Sequence, residues 1–73
     1  MPQIPLLSPV ALVVDLPDRG LSRGEMGTVV EHLGWNDDRA VLVEFADDQG
    51  QTYAMAELRP EQLLVLHRRF QAA

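Results

Sequence analysis

The sequence predicts an all-β fold, a small, partly open barrel of five strands. Three observations predict it. Gly24 and Gly27, three residues apart, lead straight into the β-branched run Thr28-Val29-Val30, whose side chains are stiff at χ1 and favour a pleated strand. Ala40 to Phe45 alternates, with Val41, Val43 and Phe45 facing one way and Leu42 and Glu44 the other. Clusters of Pro, Gly, Asn and Asp separate the short apolar runs and mark turns between strands.

Residues 1–8 hold two prolines and no periodicity, and read as an extended arm. Pro9 removes a donor at a tolerated place, the start of a strand. The first strand is Val10 to Val14, with Val10, Leu12, Val14 and Leu16 on one face. Asp15 and Pro17-Asp18-Arg19-Gly20 form a loop that runs on to the glycine pair. There, glycine supplies positive φ or a close backbone approach. The second strand runs from about Gly27 to Leu33, and Gly34-Trp35-Asn36-Asp37-Asp38-Arg39 has strong turn chemistry.

The third strand is Ala40 to Phe45. Asp47-Asp48-Gln49-Gly50 is a hairpin turn, with Gly50 suited to the left-handed position of a longer loop. The fourth strand is Gln51 to Leu58. Pro60 and Glu61 suit a short helical turn, too short for an α-helix, so a 3₁₀ turn is expected. The fifth strand is Leu64 to His67, which gives a barrel over 9–67, and 68–73 is a tail. A long first connection, tight middle hairpins and a 3₁₀ turn before the last strand are the order of an SH3-like barrel. The alternative is an open antiparallel sheet completed by a second copy.

At 73 residues the chain is one domain, and a domain of this size buries only about 60% of the surface its unfolded form exposes. It has no cysteine, which excludes disulfides and thiolate zinc sites. Small domains without such staples often oligomerise or dock on a partner. Eleven acidic residues face six arginines, with no lysine, for a net charge of −5. That balance repels a phosphate backbone and suits a basic protein surface, or serves solubility alone. The N-terminus lacks the basic and apolar regions of a secretory signal, and Val10 to Val14 is far too short to span a membrane. A cytoplasmic protein is expected.

Several groups invite a catalytic or metal reading. Asp37-Asp38 and Asp47-Asp48 fall in turns, where Asp bonds the backbone, and lack calcium-loop spacing. His32 and His67 are the only histidines. His32 has room to pair with an acid across strands, but no third group completes a base or a metal site. Ser8 and Ser22 lack a nucleophile elbow. The sequence thus predicts no enzyme activity, no catalytic residue, no metal and no cofactor.

Trp35 is the sole tryptophan and stands in a turn, either as an interface residue or as a lid over one barrel end. Leu42 points outward if Val41, Val43 and Phe45 point inward, and either Val29 or Val30 must also face out. With Trp35 these would form an exposed apolar strip, the mark of an association surface. Tyr53 and Met55 share one face of the fourth strand, core or surface. The candidate partner-binding residues are therefore Trp35, Leu42, Val30 and Tyr53. Arg68-Arg69-Phe70 in the tail is either disordered or docks on an acidic surface, including a second copy's.

Leu7-Ser8-Pro9-Val10-Ala11-Leu12 with Asp15-Leu16-Pro17, the glycine turn from Gly24 to Glu31, Val43-Glu44-Phe45 and Gly50-Gln51-Thr52-Tyr53-Ala54 together resemble a family of short bacterial proteins. That family carries only a domain-of-unknown-function label. The resemblance covers about residues 6–67. It implies an SH3-like domain with an accessory or antitoxin-like role beside a neighbouring gene product, and carries no established activity. The glycine turn also resembles the KOW motif of ribosomal and transcription-elongation proteins, but lacks the basic residues those proteins use on RNA.

The expected function is a non-enzymatic module that binds a protein partner or a second copy of itself, with neither nucleic acid nor membrane as partner. The alternatives are a KOW-like RNA- or ribosome-associated module and an accessory domain or small subunit of an enzyme.

Overall fold

A computed structural model describes residues 4–34 and 39–67. The strands are β1 (Pro9–Leu12), β2 (Met26–His32), β3 (Val41–Ala46), β4 (Thr52–Leu58) and β5 (Leu63–Val65). They form one antiparallel sheet in the order β4-β3-β2-β1-β5. The fold is all-β, as the alternation predicts, and a 3₁₀ turn at Pro60–Gln62 precedes the last strand. β4 and β5 are the two edges, so the barrel is open between them among the described residues.

The inward positions meet in one core: Val10, Leu12, Val29, Val41, Val43, Phe45, Ala56 and Leu58 from the strands, and Leu21 from the β1–β2 connection. Full burial of a Val, Leu or Phe side chain contributes roughly 1.5–3 kcal/mol. Among the described residues no polar side chain is buried. The described core therefore carries no desolvated polar side chain that needs a partner.

Two bulges set which residues face in. Val29 pairs with Val43 and Glu31 with Leu42, so Val30 is an extra residue in β2. Phe45 pairs with Ala54 and Ala46 with Thr52, so Tyr53 is an extra residue in β4. Each insertion resets the alternation by one position. In β2 this keeps Glu31 outward, because in an unbroken ladder it would oppose buried Val41.

Several expectations are corrected. β1 ends at Leu12, not Val14: the last bonds that hold it are from the Gly24 N–H to the Leu12 carbonyl (2.8 Å) and from the Val13 N–H to the Gln62 carbonyl (3.0 Å), the latter in register with β5. Pro17–Arg19 is a second 3₁₀ turn, where a loop was expected; the Gly20 N–H closes it on the Pro17 carbonyl, 3.1 Å away. Residues 4–8 of the expected extended arm include a turn. Leu7 there has φ 68°, held by its N–H donating to the Val29 carbonyl (2.7 Å), and Ile4 packs on the core.

Candidate functional site

The alternation that fills the core places a second set of side chains on the opposite face. Cross-strand pairs define it. Leu64 and Met26 both pair with Ala11, Thr28 pairs with Pro9 and Glu44, Glu44 pairs with Met55, and Leu42 lies between Glu31 and Glu57. Met26 is 59% exposed, Leu64 55% and Met55 48%, so the face carries large apolar groups in contact with solvent. Its charges have one sign. The strands contain Glu31, Glu44 and Glu57 and no arginine.

Gly27 lies behind the middle of this face, with the position its Cβ would take on the core side, against Val43 and Phe45. A Cβ there would stand 2.6 Å from Val43 Cγ1 and 2.8 Å from the Glu44 carbonyl oxygen. Only glycine lets β2 lie this close to β3. Beside it is a hollow of about 230 Å³ lined by Pro9, Met26, Gly27, Thr28, Glu44 and Ala46. A second, also about 230 Å³, is lined by Pro9, Met26, Leu66 and His67. Pro9 and Met26 form the ridge between them. The Glu44 carboxylate accepts a hydrogen bond from the Thr52 hydroxyl, which holds it over the face.

Tyr53 stands at the edge of the sheet's core side. The bulge turns it away from Met55, so the expectation that the two share a face is corrected. Its ring lies 6.5 Å from that of buried Phe45, and its hydroxyl donates to Glu25 Oε1 at 2.7 Å. Glu25 Oε2 accepts from the Ser22 N–H at 2.6 Å. Tyr53 thus ties β4 to the glycine turn across the rim of the core. The Tyr53 hydroxyl, and next the Ser22 N–H, hold the Glu25 carboxyl below the usual carboxylate range. The same bond raises the Tyr53 phenol above its ordinary value.

The other singled-out residues fall as follows. Leu42 is outward and half-buried between Glu31 and Glu57. Val30 is half-buried in the β2 bulge, and Val29 is the one of that pair that points into the core. Trp35 lies outside the described residues, as do Asp37, Asp38 and the Arg68-Arg69-Phe70 tail. His32 pairs with no acid among the described residues: its Nε2 donates to the Ile4 carbonyl at 2.5 Å. Asp47 Oδ1 accepts from the Gln49 and Gln51 N–H groups, both at 2.9 Å, and so builds its turn. Among the described residues no three metal-ligating side chains converge, and no helix is long and apolar enough to cross a membrane.

Met26, Met55, Leu64 and Glu44 are the residues of the face that sequence reasoning does not gather. The available signal was that every charged strand residue is a glutamate. Cross-strand register, which joins those glutamates to the two methionines, depends on the bulges.

No curated protein and no solved structure matches the chain. The family model of DUF4926, a domain of unknown function, matches residues 6–65. That match takes in all five strands, both bulges and the glycine turn. The chain belongs to the DUF4926 family.

Proposed function

We propose that this chain is a non-enzymatic protein-interaction module that docks on a protein partner through the outward face of its sheet. The observation that carries the reading is that exposed Met26, Met55 and Leu64 and half-buried Leu42 all lie on the outward face of one sheet, around Glu44 and Thr28. Isolated exposed apolar residues are ordinary, whereas several large ones gathered on one face mark association surfaces. Flexible methionines suit such a surface because they repack against a partner. An antitoxin-like or accessory role toward a neighbouring gene product, in the cytoplasm, is the form this reading takes. The acidic strand face weighs against the KOW-like alternative, since RNA binding needs clustered cations.

Co-expression with the neighbouring gene product, followed by co-purification, tests the reading. Leu42→Asp and Met55→Asp are expected to abolish the complex and leave a folded domain by circular dichroism. A complex that survives both changes overturns it.

A further inference from the structure

The proposed docking face has a polarity that specifies its partner, and this inference rests on that reading. Glu31, Glu44 and Glu57 all project from it, one from each of three neighbouring strands. The arginines among the described residues, Arg19, Arg23, Arg39 and Arg59, all lie in connections or turns. A second copy would bring the same carboxylates against these, and like charges facing one another across an interface are costly. The complement of this face is apolar and cationic.

The hollow beside Glu44 gives that complement a seat. Met26, Pro9 and Ala46 supply apolar walls, and Glu44 supplies a carboxylate. The Thr52 hydroxyl occupies only Oε2. A lysine or arginine side chain divides the same way, into an apolar stem and a charged head. We infer that this hollow receives a lysine or arginine side chain of a basic, amphipathic segment of the partner protein. Its stem lies against Met26 and Ala46 and its head on Glu44, while neighbouring apolar residues of the segment cover Leu42 and Met55.

The test is a fluorescence titration of the whole chain with two labelled peptides, an amphipathic one of leucine and lysine and its counterpart with glutamate for lysine. The lysine peptide binds and the glutamate peptide does not. Glu44→Gln weakens binding about tenfold, the scale of one well-placed charge pair, and Met26→Ser weakens it as well. Asp48→Asn and Asp18→Asn, equal in charge change but outside the strands and not lining the hollow, alter it less than about twofold. Glutamine keeps an acceptor for Thr52, so Glu44→Gln melts as the wild type does.

Equal losses for Glu44→Gln and Asp48→Asn would mean attraction by bulk charge and would overturn the inference, leaving the docking face itself standing. Light scattering of the chain alone reads the other occupant. A dimer that Leu42→Asp disperses would make the face a self-interface and also overturn it.

Discussion

At the scale of single residues, the glycine turn holds two glycines for different reasons. Gly24 has φ 94° and open space around it. Gly27 has no positive φ, but a Cβ there meets Val43 and the Glu44 backbone. Gly24→Ala is expected to cost about 1–2 kcal/mol, through backbone strain alone. Gly27→Ala is expected to cost about 2–3 kcal/mol or more, because the β3 backbone cannot yield as a flexible side chain would. Urea denaturation of both variants checks the order, and a milder Gly27→Ala would place β2 farther from β3.

Tyr53 and Glu25 give a second residue-scale prediction. The Glu25 carboxyl titrates lower in the folded chain than its ordinary 4.5. Its contribution to stability is therefore present above that value and lost as pH falls through the folded pKa. The Tyr53 phenol titrates higher than its ordinary 10.0, so its contribution is full below that and lost as pH rises through the folded pKa. The bond stabilises between the two limits. Tyr53 is exposed and Glu25 only half-buried, so the effect is small. Thermal melts of wild type and Tyr53→Phe are expected to differ near neutral pH and to converge in strong acid and strong base.

At the scale of elements, the β2 bulge decides which side of the sheet a charge occupies. Removing Val30 leaves Val29 opposite Val43 and Glu31 opposite Leu42, now in an unbroken ladder. The Val30 deletion is therefore expected to fold with both faces intact and a stability loss of about 1–2 kcal/mol, from lost apolar contact. Deleting Thr28 moves Gly27 into register with Glu44 and flips everything before it to the wrong face, and is expected to unfold the domain. Comparable amide NMR spectra for the two deletions would refute the register.

The bulges also bound what the sequence made legible. The β3 pattern assigned Val41, Val43 and Phe45 inward and Leu42 outward because no insertion interrupts it. In β2, Val29 and Val30 are equally apolar, and the sequence offers no sign of which one is extra. In β4, reading Tyr53 and Met55 two apart on one face required an unbroken strand. The Leu7 turn was hidden for another reason: a leucine at positive φ runs against local propensity and is held by pairing with β2, a tertiary contact.

At the scale of the whole molecule, all five strands close on one thin core, and its largest fully buried side chain is Phe45. A domain of 73 residues has a total stability of about 4–11 kcal/mol by the usual per-residue scale. Phe-to-Ala changes in a core cost about 3–5 kcal/mol, which matches the whole of that total at its lower end. Phe45→Ala is thus expected to be largely unfolded at physiological temperature, with the amide dispersion of the wild type lost in NMR. Phe45→Leu, which keeps most of the volume, is expected to stay folded with a lowered melting temperature.

Glu44 is the adjacent residue on the opposite side of the same strand, so Glu44→Gln is expected to melt like the wild type while it weakens the cationic peptide. The pair separates the two roles of one strand. Loss of peptide binding in Phe45→Ala would follow from loss of the sheet, and loss in Glu44→Gln from loss of a charge on an intact one. A Phe45→Ala variant that melts as the wild type does would place Phe45 outside the core and reverse the assignment of both faces of β3.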